Sequence, residues 1–333
     1  MTILITGANG LLGTRLVRRL IANGDGPLRL LVRKGSQSDA LDTVCSMARS
    51  GQVERFTGSL DTVEQAALAL QGVTLVYHLA AAKRGSAADV FRGTLETSRN
   101  LLDAAIRQPQ PPRILLVSSF SVYATADLPA GTRIDESTGM EPCPSLRDVY
   151  AHAKVEQERI FREYHLRHAL PLAVVRPGVV YGPGHAQPSN RVGIGPRAGV
   201  FLQLGGRNPL PLTHVDNCAE AIRCVAARAT FAGDTYNVVD EGSVDCRRYL
   251  HEYRTSHGGF LIAPVPRTLL MWASSANSAL HRISRRRVPE WFTPYRSRAT
   301  WTAFEYSANA LRGLGYTQPI PSEEALRSAL ESA

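Results

Sequence analysis

Three glycines near the start of the chain limit its fold more than any other feature. The segment Thr6-Gly-Ala-Asn-Gly-Leu-Leu-Gly13 follows the apolar run Ile3-Leu4-Ile5 and precedes a stretch with helical periodicity. In such a loop the first glycine permits a tight turn, the second lets the backbone approach a pyrophosphate, and the third lets the helix pack closely on the strand. Because a helix amino terminus attracts anions, the motif predicts a dinucleotide site at Gly7, Gly10 and Gly13.

The first half of the chain alternates short apolar runs with helical patterns. The apolar runs predict strands that are buried on both faces, at 3–6, 28–32, 53–57, 75–78, 114–118 and 172–176. Helical periodicity between them predicts helices at 11–21, 62–70, 90–106 and 149–168. Strands that alternate with helices form a doubly wound parallel sheet, so we predict a Rossmann-type α/β fold whose ligand lies at the carboxyl ends of the strands.

A change of composition marks the end of this first unit. Proline and glycine become frequent in 176–184 and in the loop 190–206, and these residues interrupt regular elements. We therefore predict a nucleotide-binding domain at 1–178, to which 213–243 returns with a helix and one more strand. A smaller, mainly helical substrate-binding lobe is predicted at 179–212 and 244–333, and its last 80 or so residues contain no clear strand pattern.

Tyr150 and Lys154 lie one helical turn apart, on one face of the predicted helix 149–168. Interconverting an alcohol and a ketone requires proton transfer at oxygen, and a free tyrosine with a pKa near 10 is a poor base at neutral pH. A neighbouring ammonium and a cationic nicotinamide favour the phenolate and lower that pKa. With eleven tyrosines and only three lysines in 333 residues, about 0.1 such pairs are expected by chance. We predict that Tyr150 is the acid–base group and that Lys154 assists it and holds the nicotinamide ribose.

Serines follow the fifth predicted strand, at the same sheet edge. A hydroxyl there can hydrogen-bond the substrate oxygen and orient it toward Tyr150. We assign this role to Ser119, with Ser121 and Ser118 as alternatives.

The loop after the second predicted strand carries the basic residues Arg33 and Lys34. An acidic residue at this place favours NAD, whereas a basic residue accommodates the 2′-phosphate of NADP. The sequence therefore favours NADP(H) over NAD(H). The segment Gly58-Ser-Leu-Asp61, after the third strand, either lies along the adenine or is a plain turn.

Charge and cysteine content argue against several other classes of function. The net charge is +9, but apart from Arg282 and Arg285-Arg286-Arg287 the basic residues are dispersed, so we predict a solvated surface and no nucleic-acid partner. Five cysteines at unrelated spacings predict no metal site. Because no secretory signal or membrane-spanning stretch is apparent, we expect a cytoplasmic protein. The amphipathic stretch 266–283 is expected to be a lid or core helix, with peripheral membrane contact as an alternative.

Together these residues resemble the extended short-chain dehydrogenase/reductases, which include NAD-dependent epimerases and dehydratases, 3β-hydroxysteroid dehydrogenases and dihydroflavonol reductases. The resemblance covers essentially the whole chain and includes 77–81, 100–105, 118–123, 176–184, 212–216, 236–240 and 310–316. It implies a homodimer formed through 90–106 and 149–168. It assigns these further residues to the cofactor: Asn9, Leu11, Leu12, Leu60, Asp61, Leu79, Ala80, Ala81, Pro177 and Val180. On the substrate side we name Ser121 and also His185, which follows 181–184 and is either a substrate-side acid or a solvated loop histidine.

The sequence departs from this superfamily at three places. Thr94 stands where the helix usually has an asparagine, which removes one expected proton-relay or water-binding group. Sugar-nucleotide dehydratases have carboxylates in the segment that reads Ser119-Phe120-Ser121 here, so 4,6-dehydration is not expected. Leu210 stands where epimerases have an arginine that holds the nucleotide pyrophosphate, and its candidate replacements are Arg207, Asn190 and Arg191.

Three functions are compatible with this pattern. The first is an epimerase or keto-reductase that acts on a nucleotide-linked sugar, and it is the one we predict. The second is a dehydrogenase or reductase of the steroid or flavonoid type that acts on a lipophilic alcohol or ketone. The third, a non-enzymatic NAD(P)-binding regulator, is disfavoured because both Tyr150 and Lys154 are present.

Overall fold

The computed structural model of the protein describes residues 2–36, 38–82, 85–242, 244–285 and 287–331. In chain order its strands β1 to β14 are Thr2–Thr6, Leu28–Val32, Val53–Thr57, Val73–His78, Arg113–Val117, Arg133–Ile134, Leu172–Pro177, Val179–Tyr181, Gly193–Arg197, Val200–Gln203, Leu212–His214, Ala232–Val238, Leu261–Pro264 and Glu305–Tyr306. The helices α1 to α12 are Leu11–Ala22, Asp39–Ser46, Val63–Ala69, Ala87–Phe91, Thr97–Ile106, Val149–His168, Val215–Arg228, Cys246–His257, Arg267–Ile283, Pro294–Trp301, Asn309–Gly313 and Ser322–Glu331.

Seven parallel strands form the central sheet, in the order β12-β7-β5-β4-β1-β2-β3. The chain moves outward from β1 through β2 to β3 and then crosses back to β4, which pairs with the other side of β1. The strand order therefore reverses between β1 and β4, and in sheets of this kind the crevice beyond the carboxyl ends at that point receives the ligand. This topology confirms the predicted Rossmann-type fold.

Alternation along the strands builds an apolar core on each face of the sheet. On β1, Ile5 joins the core under α1, α2 and α7, whereas Leu4 joins the core under α3, α5 and α6. Successive side chains of a strand point to opposite faces, so these runs of Ile, Leu and Val supply both cores at once. The strand β12 pairs with β7, and the helix α7 that precedes it packs on α1.

Three sequence predictions about these elements are wrong. The strand β3 is an edge strand rather than one buried on both faces, and Glu54 and Arg55 on it are exposed. The predicted helix 90–106 contains a π-helical turn at Arg92–Glu96, between α4 and α5. The carboxyl-terminal region contains two short strands, β13 and β14. Short strands such as these depend on pairing with distant segments, so local periodicity does not reveal them.

The helix α9 is not a core helix, because only Leu270 and Ser274 on it are buried. That 266–283 forms a lid stays a prediction. Among the described residues, no helix is long and apolar enough to cross a membrane.

Glu158 attaches α6 to the central sheet. Its side chain is fully buried, accepts a hydrogen bond from Ser118 Oγ beyond β5 (2.6 Å), and pairs with Arg176 on β7 (2.6 Å). Arg162, one turn further along α6, pairs with the same carboxylate at 2.8 Å. Burial alone raises the pKa of this carboxyl, but Arg176, Arg162 and Ser118 hold it below its ordinary value. The carboxylate is therefore charged, and it fixes the position of the helix relative to two strands.

We predict that Glu158→Gln lowers the free energy of unfolding by about 3–5 kcal/mol, because it leaves Arg176 buried without a counter-charge. Urea unfolding at pH 7 measures the loss. The control is Glu163→Gln on the same helix, whose pair with Arg167 is solvent-exposed and contributes at most about 1 kcal/mol. Since the folded pKa of Glu158 is depressed, its contribution is present above the unfolded pKa of about 4.3. It is lost as the pH falls through the folded pKa, so the two proteins should converge there. Equal urea midpoints for Glu158→Gln and the wild type at pH 7 would refute this role.

Candidate active site

The glycine loop has the geometry that a bound dinucleotide requires. Gly7 has a positive φ of +72°, and a Cβ on it would lie 3.0 Å from the backbone nitrogen of Ala80. A Cβ on Gly13 would lie 2.1 Å from the carbonyl oxygen of Gly7. The helix α1 begins at Leu11, and its N-cap residue, Gly10, has no side chain to cap the first N–H groups. The loop therefore presents bare backbone and a helix amino terminus at the β1–β4 crevice, which fits a pyrophosphate.

Asn9 connects this loop to the segment after β2. Its Nδ2 donates to Ser36 Oγ at 2.6 Å. Its Oδ1 is buried and has no hydrogen-bond partner among the residues that the structure describes. Arg33 and Lys34 lie in the same loop as Ser36 and are exposed, and Arg33 forms no ion pair with any described residue. A polar acceptor and two cations thus adjoin the place where the adenosine ribose would bind.

Several other predicted cofactor residues also follow carboxyl ends of strands. The backbone nitrogens of Leu79 and Ala80, beyond β4, donate to the carbonyl oxygen (3.3 Å) and the Oγ1 (3.2 Å) of Thr6. Leu60 and Asp61 follow β3, and the carbonyl of Leu60 accepts from Asn100 Nδ2 at 2.8 Å. The remaining members do not all follow strands, and they are half-buried or buried: Leu12 on α1, Ala81 beyond β4, Pro177 at the end of β7 and Val180 on β8.

Ser119 and Tyr150 are in direct contact. Ser119 precedes a 3₁₀ turn at Phe120–Val122, and its Oγ accepts a hydrogen bond from the Ser121 nitrogen at 3.1 Å. The same hydroxyl is hydrogen-bonded to the Tyr150 phenol. Burial raises the pKa of Tyr150 to about 12, while the bond from Ser119 opposes this rise. The structure thus brings together the two residues that the sequence placed at the end of β5 and the start of α6.

Lys154 is buried beside this pair and is held by two acceptors. Its Nζ donates to the carbonyl oxygen of Val117 at 2.7 Å and to Gln157 Oε1 at 2.6 Å. Gln157 Nε2 in turn donates to Ser98 Oγ at 2.9 Å. The sequence analysis missed Gln157, although its position three residues after Lys154 places it on the same helix face.

Ser98 links His78 and Thr94 to the Lys154–Gln157 pair. His78 is fully buried, and its ring nitrogens lie 3.0 Å from Thr6 Oγ1 and 3.3 Å from Ser98 Oγ. Burial and the nearby Lys154 lower the pKa of His78 to about 3, so it is a neutral packing residue at physiological pH. Thr94, at the π-helical turn, accepts a hydrogen bond from the Ala82 nitrogen at 3.1 Å. It fastens the helix to the loop after β4.

The predicted substrate residues are dispersed. Ser121 is half-buried, and its Oγ has no hydrogen-bond partner among the described residues. Arg191 donates to the Tyr306 hydroxyl at 3.3 Å, and the Tyr306 ring lies 5.6 Å from that of Phe120. His185, Asn190 and Arg207 are exposed. Of the predicted set, Ser121 adjoins Ser119, and Arg191 is linked to Phe120 through Tyr306.

Comparison with known proteins agrees with this geometry. A family model described as the NAD dependent epimerase/dehydratase family matches residues 3–238. Sterol demethylase protein B of Methylococcus capsulatus is 31% identical over 57% of this chain and 54% of its own length. Ceramide reductase of Caulobacter vibrioides is 28% identical over 65% and 57%. The 2-alkyl-3-oxoalkanoate reductase of Stenotrophomonas maltophilia is 26% identical over 78% and 76%. The chain thus spans little more than half the length of the first two relatives.

Solved structures share the whole fold at low identity. The structure of gox2253 covers 99% of this chain and 97% of its own, with a TM-score of 0.80 and 21% identity. UDP-glucose 4-epimerase of Thermus thermophilus, solved with NAD, covers 100% and 98%, with a TM-score of 0.69 and 19% identity. At these identities the likeness concerns the fold.

Proposed function

Because the chain belongs to the NAD dependent epimerase/dehydratase family, we propose that this oxidoreductase acts on a secondary alcohol or ketone of a lipophilic substrate. The choice of substrate class rests on Leu210. It stands where the resemblance places the arginine that holds a nucleotide pyrophosphate, and it is 1% exposed within the apolar core of the second lobe. A leucine enclosed in this way offers no charge to a pyrophosphate. The names of several relatives, such as sterol demethylase and ceramide reductase, support the same class.

We propose a role for each member of the candidate triad. A bound nicotinamide supplies or accepts the hydride. In the oxidative direction the Ser119 hydroxyl holds the substrate oxygen, and the Tyr150 phenolate accepts its proton while the carbinol carbon loses hydride. In the reductive direction the Tyr150 phenol donates the proton to the same oxygen. The hydrogen bond from Ser119 counters the effect of burial on the Tyr150 pKa, and the Lys154 ammonium, fixed by Val117 and Gln157, favours the phenolate.

NADP(H) is the proposed cofactor. The glycine loop and the unpaired Asn9 Oδ1 fit a dinucleotide, and exposed Arg33 and Lys34 fit the 2′-phosphate of its adenosine ribose.

We also propose the two-lobe division predicted above and a homodimer. The pairing of β12 with β7 supports the return of 213–243 to the first domain. Val149 and Leu166, near the two ends of α6, leave exposed apolar side chains on that helix.

We predict that Arg33→Asp weakens NADPH binding by about tenfold to a hundredfold, since it removes a charge-assisted contact to the phosphate and adds a repulsive charge. NADH binding should be unchanged or tighter. Dissociation constants from nicotinamide fluorescence measure both. Arg49→Asp, which makes the same charge change in the loop before β3, is the control. An unaltered ratio of NADPH to NADH affinity in Arg33→Asp would disprove the assignment.

We expect Tyr150→Phe to lower kcat by about a hundredfold to ten-thousandfold, which is the usual contribution of a positioned acid–base group. Cofactor affinity should be retained. The control is Tyr164→Phe on the same helix, whose hydroxyl donates to Asp103 at 2.6 Å, and it should keep wild-type turnover. In the wild type, the oxidation rate should rise with pH as the phenol ionises, and the reduction rate should fall. Full turnover by Tyr150→Phe would leave Tyr150 without a catalytic role.

The substrate class can be tested by thermal shift, because a ligand that binds only the folded protein raises its Tm. Sterols and long-chain 3-oxo or 3-hydroxy acids should raise the Tm in the presence of NADP(H) or NAD(H). The compounds that raise the Tm should also be turned over, which the change in nicotinamide absorbance at 340 nm measures. UDP, GDP and dTDP should leave the Tm unchanged.

Nucleotide-linked sugars are the second candidate substrate class, favoured by Arg191 beside Tyr306. Stabilisation by a nucleoside diphosphate, with no response to any lipophilic ligand, would establish that candidate instead.

A further inference from the structure

The helix α9, Arg267–Ile283, turns its apolar side outward. Leu269, Trp272, Leu280 and Ile283 are 52%, 70%, 50% and 80% exposed. With Ala276, which is also exposed, they recur every three or four residues and form one stripe along a helix about 25 Å long. An amphipathic helix of a globular domain normally directs such a stripe into the core.

The opposite side of α9 faces the protein, and apart from the buried Leu270 the residues that attach it there are polar. Ser274 Oγ hydrogen-bonds Ser297 Oγ on α10 at 2.6 Å. Asn277 Oδ1 accepts from the Phe292 nitrogen at 3.0 Å, and His281 Nδ1 lies 2.6 Å from the carbonyl oxygen of Val288. These contacts attach the helix to the protein through its mainly polar side. The apolar stripe therefore remains at the protein surface.

Positive charge lies at the carboxyl end of this stripe. No aspartate or glutamate occurs between Glu252 and Glu290. Arg282, Arg285 and Arg287, at and just beyond the end of α9, are exposed, whereas Arg286 lies outside the described residues. Trp291, a few residues further on, is 71% exposed. A stripe of apolar and aromatic side chains flanked by arginines is the pattern of a helix that lies in a membrane interface.

We propose that the α9 face, defined as Leu269, Trp272, Ala276, Leu280 and Ile283 with Arg282, Arg285, Arg287 and Trp291, docks on an anionic lipid bilayer. The helix lies parallel to the surface, and its apolar side chains enter the boundary between headgroups and acyl chains. The arginines bind lipid phosphates, and Trp272 and Trp291 sit at headgroup level, which suits their polar N–H and apolar rings.

Charge argues against a second copy of the chain as the occupant. A twofold interface places the same patch on both subunits, so Arg282, Arg285 and Arg287 would face the same three arginines, and Glu290 is the single acidic residue in the stretch 253–291 that could offset them. An anionic bilayer supplies the complementary charge. This inference does not depend on the proposed substrate, because the α9 face and the Ser119–Tyr150 contact belong to different parts of the fold.

The test is flotation of the full-length protein with vesicles of phosphatidylcholine alone or mixed 7:3 with phosphatidylglycerol. The wild type should float with the anionic vesicles and not with the neutral ones. Each arginine near an anionic surface strengthens binding about fivefold, so Arg282→Gln/Arg285→Gln/Arg287→Gln should weaken it on the order of 100-fold. Trp272→Ser/Ile283→Ser should weaken it on the order of tenfold, through the apolar area it removes.

Matched variants at other exposed positions control for composition. Arg18→Gln/Arg49→Gln/Arg107→Gln removes the same charge, and Met47→Ser/Leu68→Ser removes exposed apolar side chains from α3 and the segment after α2. Both control variants should float with the anionic vesicles as the wild type does.

The proposal is overturned if the wild type stays in solution with anionic vesicles, or if both α9 variants bind those vesicles as strongly as the wild type does. It is also overturned if the wild type dimerises without lipid and Trp272→Ser/Ile283→Ser abolishes that dimer, since the face then belongs to a second copy. Turnover with a water-dispersed substrate separates these outcomes from failure of the proposed function.

Discussion

The ion pair between Glu158 and Arg176 determines where the candidate chemistry lies. Tyr150, Lys154 and Glu158 follow one another at intervals of four residues, so they form one stripe of α6. At one end of that stripe the buried carboxylate is held by Arg176 on β7 and by Ser118 beyond β5. Since both partners lie at the carboxyl ends of neighbouring strands, the helix enters the sheet edge in a fixed orientation. The phenol and the ammonium are therefore delivered to the crevice as a pair.

The same edge receives the glycine loop because of the strand order. Parallel strands end side by side, and the reversal between β1 and β4 leaves a crevice that no crossover helix covers. Within it, Gly7 approaches the backbone of Ala80 so closely that a side chain would collide, and Thr6 binds the backbone of both Leu79 and Ala80. The glycine loop, the loop after β4 and the Ser119–Tyr150 contact thus lie along the same edge of the sheet. Lys154, Gln157, Ser98 and His78 form a buried polar network behind that edge.

Two independent observations point toward lipophilic surroundings. Leu210, buried in an apolar cluster, stands where an anchor for a charged nucleotide was expected, and α9 presents an apolar stripe bordered by arginines. The observation on Leu210 concerns the substrate that the site binds, and the observation on α9 concerns the surface to which the protein binds. An enzyme for a lipophilic alcohol gains from lying on the phase in which such a molecule is dissolved, which gives the two proposals a common physical logic while each stands on its own residues.

The sequence determined the features that local chemistry encodes. Three features could be predicted because each depends on residues close together in the chain: the glycine spacing, the helix at 149–168 and the Tyr150–Lys154 pair. The alternation of strands and helices determined the sheet type.

Tertiary structure decided the rest. Neither the edge position of β3 nor the pairing of β13 is visible in its own residues, since a strand is completed by a partner far away in the chain. The link from Lys154 through Gln157 to Ser98 required α6 to pack against α5. The hydrophobic pattern of α9 was visible in the sequence, but periodicity shows only that a helix has an apolar side. Which side faces the protein depends on what packs against it, and here Ser297, Phe292 and Val288 bind the polar one.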